Sequence, residues 1–235
     1  FDGIRWNRWN KEREGKGFCP SDSRVSEMTC PEDRKRAAAT IDPASLEDAR
    51  RAIAVGCRHF LKRLDMLEEG LVNVRTAQDI NRFSRALSMY LLASLPLKPE
   101  TCPFCVQHSG GNRCQGCGYA ETHGGRCDAD TSAFGQLIEA VYDLAGEIHE
   151  IREDPPFASL DPDEAGEWLE NSIRRSREAA EILLAEISEA GVSELMAAKR
   201  GYIEAILKAL PADLIGSPEV DRSIEEVRAK LERYW

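Results

Sequence analysis

Apolar residues recur every three or four positions along most of this chain, and no other feature constrains its fold as strongly. That spacing places the apolar side chains on one face of an α-helix, where they can pack against a common core. Six segments carry such a stripe, over residues 45–71, 76–95, 134–151, 161–190, 193–210 and 218–234. The sequence therefore predicts an all-α protein, an antiparallel bundle of about six helices.

Capping residues mark the starts of the first two predicted helices. Ser45 and Thr76 each stand before an apolar stripe, with Asp48 and Asp79 three residues further on. In that spacing a side-chain oxygen accepts a hydrogen bond from a backbone N–H that the helix itself leaves unpaired. We therefore expect Ser45 and Thr76 to be the N-caps of these helices.

The loop between the second and third predicted helices holds five of the chain's eight cysteines and two of its four histidines. Cys102-Pro-Phe-Cys105 and Cys114-Gln-Gly-Cys117 are two CxxC pairs, and the Ser-Gly-Gly-Asn between them is typical of a short β-hairpin turn. A CxxC turn lets both sulfurs face one point, and two facing pairs supply four thiolates in a tetrahedron. The sequence therefore predicts that Cys102, Cys105, Cys114 and Cys117 bind a metal, in a loop inserted between the helices.

The stretch from Cys102 to Tyr119 resembles the CxxC knuckles of zinc ribbons and rubredoxins, in which such turns hold Zn²⁺ or a single iron. The resemblance covers these residues alone, a small part of the chain. It implies the same four cysteines as ligands and Tyr119 as a packing residue. Val106 follows the first pair where the family has glycine, and the insert between the pairs is shorter than in rubredoxins. Both departures favour zinc over iron.

Other sulfur and imidazole groups extend the set of candidate ligands. They could replace a cysteine of the first site or build a second one, and the further sulfur keeps an iron–sulfur cluster open as an alternative to zinc. For the two histidines an exposed position in the loop is an equal alternative to ligation. These candidates are Cys127, His108, His123, Cys19 and Cys30. Cys57 lies on the apolar stripe of the first helix and is predicted to be a buried core residue.

Charge, hydropathy and the lack of catalytic motifs disfavour other classes of function. The net charge of −10 disfavours an extended nucleic-acid surface, and Arg113 and Arg126 are the only basic residues from Thr101 to Cys127. The sequence has no apolar run of about 18 residues, so no membrane span is predicted. It also lacks phosphate-loop, nucleophile-elbow and HExxH motifs, which favours a non-catalytic protein.

The cysteine spacing also bears on the compartment. Paired CxxC turns suit chelation better than a disulfide framework, and they predict a reducing, cytoplasmic environment. The chain begins with Phe1 rather than Met, which leaves processing of the N-terminus open.

Four regions follow from these patterns: an irregular arm over 1–44, a helical hairpin over 45–97, the metal-binding loop over 98–130 and a helical bundle over 131–235. In the arm, Trp6 and Trp9 are candidate anchors for a partner protein, and packing of the arm on its own domain is an equal alternative. We expect a non-catalytic accessory or assembly subunit of a larger complex, with a structural zinc site that shapes a partner-binding surface. An iron or iron–sulfur electron-transfer subunit is the alternative. The acidic body disfavours a third option, a nucleic-acid-associated zinc module.

Overall fold

A computed structural model describes residues 31–108, 110, 114–151 and 162–235. Within these ranges the chain forms ten α-helices, two short 3-10 helices (Leu71–Asn73 and Pro99–Thr101) and no strand, which confirms the all-α class. The α-helices are α1 (Pro31–Ala38), α2 (Pro43–Gly70), α3 (Ala77–Ala93), α4 (Pro103–Gln107), α5 (Gly118–Thr122), α6 (Ala133–Glu150), α7 (Pro162–Glu186), α8 (Val192–Ala209), α9 (Ala212–Ile215) and α10 (Pro218–Leu231).

The six long helices α2, α3, α6, α7, α8 and α10 lie where the apolar stripes predict helices. Their arrangement as an antiparallel six-helix bundle is not confirmed. Four short helices were not predicted, and α1 forms inside the segment expected to be an irregular arm. Acidic residues in its first turn (Glu32 and Asp33) and basic residues in its last (Lys35 and Arg36) favour this helix through its dipole.

The capping residues explain where two of the long helices begin. Thr76 and Asp79 form the predicted capping box of α3, each side chain accepting from the other's backbone N–H. The predicted cap of α2 is wrong. Asp42 is the N-cap, and its carboxylate accepts the backbone N–H of Ser45 at 2.8 Å. Pro43 at the first helical position supports the earlier start, since it has no N–H to leave unpaired.

A continuous hydrophobic core joins the helices on both sides of the cysteine loop, from Ala37 in α1 to Trp235 beyond α10. Helix α6 packs on α3 and α10, and α7 packs on α2 and α8. Cys57 is 5% exposed within this core, as its place on the stripe of α2 predicts. None of the helices in the described ranges is both long and apolar enough to cross a lipid bilayer.

The close approach of α1 and α5 yields a test of the packing. A Cβ on Gly118 would lie 2.7 Å from the Ala37 Cβ and 3.0 Å from its Cα, so Gly118→Ala must push the two helices apart. We expect the free energy of unfolding to fall by about 1–3 kcal/mol, the usual cost of overpacking, as measured by urea denaturation.

Gly146→Ala in α6 is the matched control. No atom lies within 4 Å of a Cβ there, so the same change should stabilise the helix by about 0.5–1 kcal/mol. Equal unfolding midpoints for the two variants would contradict the packing of α1 on α5.

Candidate metal centre

The loop between α3 and α6 is anchored in the protein core by its aromatic residues. Phe104 in α4 and Tyr119 in α5 are 0% and 1% exposed, and their ring centroids lie 5.9 Å apart. Trp235 contacts both rings, at 6.0 Å from Phe104 and 6.4 Å from Tyr119. The Tyr119 hydroxyl also donates to the carbonyl of Tyr234 at 3.1 Å. The helical body therefore fixes the frame in which the cysteines lie.

The first CxxC pair lies at the start of α4. Cys102 is the residue before the helix, and its carbonyl accepts the N–H of Val106 at 3.0 Å. Its sulfur accepts the backbone N–H of Cys105. Pro103, at the first helical position, sets the backbone for this turn. The two sulfurs thereby lie on the same side of a single helical turn.

The second CxxC pair closes a tight turn before α5. Cys114 and Gly116 both have φ of 71°, in the left-handed region, and the N–H of Cys117 donates to the Cys114 carbonyl at 3.2 Å. The Cys117 sulfur accepts the backbone N–H groups of Ala120 and Tyr119. Such N–H···S bonds are the feature that steadies a thiolate in a metal knuckle. The described residues of the loop form short helices here and no strand.

Cys127 joins the cluster from beyond the second pair. The chain turns back after α5 through Gly124 and Gly125, with φ of 81° and 132°, values that favour glycine. The thiol of Cys105 shares hydrogen bonds with the thiols of both Cys102 and Cys127. Cys102 and Cys114 lie close enough to Cys117 to raise the pKa of its thiol, and Cys117 in turn raises the pKa of Cys105. The structure thus brings Cys127, a further candidate in the sequence, into the centre of the group.

Hydrogen bonding between the thiols sets the protonation of the cluster. The bond to Cys105 and then burial raise the pKa of Cys102 well above its usual range. The bond from Cys102 lowers the pKa of Cys105, but the bond to Cys127 and burial outweigh it and raise the pKa to about 12. Burial also raises the pKa of Cys117. In this arrangement the raised pKa values keep Cys102, Cys105 and Cys117 protonated at neutral pH.

The donor atoms fit a thiophilic metal, although they are not arranged around one. Across residues 31–108, 110, 114–151 and 162–235, no group of three or more histidine, cysteine, aspartate or glutamate side chains is set to hold a metal ion. All six cysteines of this part of the chain are free thiols. Binding would therefore require the thiols to lose their protons and rotate away from their S–H···S contacts.

The contacts that the structure gives for the two loop histidines are with groups other than the clustered sulfurs. His123 is 5% exposed and stacks on Tyr119, with centroids 4.0 Å apart, and on Trp235 at 5.5 Å. Its Nδ1 lies 2.7 Å from the Thr122 hydroxyl, while its Nε2 is buried without a partner in the described residues. His108 follows α4 with its Nε2 in the same condition. His123 is thus a buried packing residue rather than an exposed one.

Lys199 is the residue of the site that the sequence analysis missed. It lies in α8, is fully buried, and donates to the Thr101 carbonyl at 2.9 Å. The signal was present in the stripe of α8, because Leu195, Lys199, Tyr202 and Ile206 follow the helical spacing of one face. A lysine at such a position is unusual enough to indicate a specific partner.

Four candidates of the sequence analysis, Cys19, Cys30, Trp6 and Trp9, lie outside the described residues. Comparison of the chain with protein-family models, with curated proteins and with solved structures gives no match.

Burial of His123 predicts a dependence of stability on pH. Burial lowers its pKa from 6.5 to about 4, so the unfolded chain binds a proton more readily than the folded one between these values. The stability that the folded protein has while His123 is neutral is fully present above about pH 6.5 and is lost as the pH falls towards 4. From pH 7 to pH 5 the free energy of unfolding should fall by about 2 kcal/mol, as measured by urea denaturation in the presence of a metal chelator.

His123→Phe keeps a stacked ring but has no titratable group at this position. Its unfolding free energy should fall less than that of the wild type over the same pH range. If both proteins lose the same amount, His123 does not titrate between the folded and unfolded states in the way that its burial indicates.

Proposed function

We propose that this chain is a non-catalytic accessory or assembly subunit of a larger protein complex, in which a thiolate-bound zinc ion fixes a partner-binding surface. The observation that carries the proposal is the convergence of cysteines from separate parts of the loop, with the Cys105 thiol bonded to those of both Cys102 and Cys127. Grouped sulfur donors suit zinc, and four of them leave no open position for catalysis.

The contacts support Cys102, Cys105, Cys117 and Cys127 as the four ligands. Cys105 bonds to two of these thiols, and Cys117 is close to Cys102 and Cys105. Cys114, predicted as a ligand from its CxxC spacing, interacts with Cys117 and is the competing fourth donor. Zinc bound by either set would tie α4 to the turn before α5, and the set with Cys127 would also tie in the segment after α5; the binding free energy would stabilise the folded loop.

A groove beside the loop is the surface that we assign to the partner. Its volume is about 640 Å³, and it lies between α2, the end of α3 and the 3-10 helix Pro99–Thr101. Apolar side chains line it, with charged residues at its edges. Its apolar residues include Ile53, Val55, Phe60, Tyr90 and Leu95. Because Thr101 is part of its wall and directly precedes Cys102, a metal on Cys102 would fix that wall.

The chemistry of this groove suits an apolar segment of a partner protein, bordered by polar groups that pair with the charged edge. We place the complex in the cytoplasm, since reduced thiols are needed for metal binding and persist in a reducing compartment.

Metal analysis of anaerobically purified protein tests the zinc site. We expect close to one zinc per chain and no visible absorption in the wild type, by mass spectrometry and spectrophotometry. Cys102→Ser combined with Cys117→Ser should abolish metal binding, because serine hydroxyls are poor zinc ligands. It should leave most of the helical circular dichroism, since the body has its own core.

Cys57→Ala is the control, because Cys57 lies in the core of α2 and should not affect the zinc content. Comparison of Cys114→Ser with Cys127→Ser then identifies the fourth ligand by the larger loss of zinc. Iron with acid-labile sulfide and a visible band would favour the electron-transfer alternative instead. Full retention of metal by the double variant would contradict the ligand assignment.

The groove makes a separate prediction about the partner. Val55 is 43% exposed in the groove, so Val55→Glu should prevent an apolar segment from binding there. Ile182→Glu is the control, because Ile182 is 57% exposed on α7 and does not line the groove. Tagged protein from its native cells should retain its partner in the control variant but lose it in Val55→Glu. Equal retention by both variants would exclude the groove as the binding surface.

A further inference from the structure

Lys199 is a buried charge without a carboxylate partner. Its relative exposure is 0%, and its Nζ donates to the Thr101 carbonyl at 2.9 Å and to the Thr101 hydroxyl at 3.4 Å. The ring of Tyr234 lies 5.8 Å away, with the ammonium over its face. Among the described residues, the ionisable groups that act on Lys199 include no aspartate or glutamate.

Neutral acceptors and a ring face compensate only part of the cost of burying an ammonium group, which normally requires a negative partner. The ionisable groups that interact with Lys199 electrostatically are Cys102, Cys105 and Cys127. The same interaction acts in the other direction, because Lys199 favours the thiolate form of Cys102. The structure therefore places a buried cation beside three groups that are candidates for metal binding.

We propose that Lys199 is the buried counter-ion of the thiolate metal centre, and that the centre binds a divalent cation through four thiolates. This inference rests on the proposed zinc site and extends the proposal to the electric charge of that site. Four thiols would release four protons to solvent and take up one divalent ion, which leaves the centre with a charge of −2. Lys199 offsets one of these two negative charges inside the protein, where solvent does not reach to compensate them.

The position of Lys199 shows why it acts on the centre as a whole. Thr101, which accepts its hydrogen bonds, is the residue before Cys102, so the ammonium is held at the start of the first CxxC pair. Lys199 does not need to contact the metal. It is a positioning and charge-compensating residue, and its effect is on the free energy of the ionised thiols.

Lys199→Met should weaken metal affinity without lowering the stability of the metal-free protein. Methionine keeps the length and packing of the side chain but has no charge. We expect the zinc affinity, measured by competition with a chromogenic chelator, to weaken about 10- to 100-fold, as for other groups that support metal ligands. The melting temperature of the metal-free variant should not fall, because no ammonium remains to be buried. If Lys199 served only to stabilise the fold, Lys199→Met would lower both the zinc affinity and the melting temperature of the metal-free protein.

Lys199→Gln separates the charge from the hydrogen bond, since its amide can still donate to Thr101. A loss of affinity similar to that of Lys199→Met supports the counter-ion role. Wild-type affinity in the glutamine variant would overturn it, because the hydrogen bond alone would then suffice. Binding of Zn²⁺ by the wild type with unchanged affinity in both variants would also overturn it but leave the zinc site intact. A wild type that binds no Zn²⁺ would overturn the proposed function itself.

Discussion

The packing of Phe104, Tyr119 and Trp235 is the contact on which the arrangement of the loop depends. These rings join α4 and α5, one beside each CxxC pair, to Trp235, which lies beyond the end of α10 and far away in sequence. Because the core supplies this anchor, the cysteines are brought together by apolar burial before any metal contributes. Zinc would therefore fix the positions of the sulfurs in a loop that already has a frame, unlike a zinc finger that is unfolded without its metal.

The sequence was informative where a regular pattern extends over several turns of helix. The six long helices were predicted because each buries a stripe long enough to be recognised, such as Ile53, Phe60 and Leu64 in α2. Helices such as α4 and α9 span only five and four residues, too few for a stripe to be recognised. The start of α2 was predicted too late because Asp42 is followed by proline and caps the helix before the apolar stripe begins.

For the candidate site, spacing predicted local neighbours but not the complete group. Cys102 and Cys105 belong together because only two residues separate them, and the bond between their thiols follows from that spacing. The approach of Cys127 depends on the left-handed turn at Gly124 and Gly125 and on packing across the loop, which no local pattern specifies. To predict that Lys199 lies at the site, one would need to know which segment faces α8, although its position on an apolar stripe was visible in the sequence.

Charge would link the proposed metal centre to the groove through Thr101. Neutral thiols give Lys199 no negative partner, and burial then lowers the pKa of its ammonium group. Thiolates on a divalent metal reverse that situation, because their negative charge favours the protonated lysine. Since Lys199 donates to the carbonyl of Thr101, a residue of the groove wall, the strength of this hydrogen bond would follow the charge of the proposed centre. Metal loading and the shape of the partner surface would thus be coupled through one buried ammonium group, with no movement of the helices required.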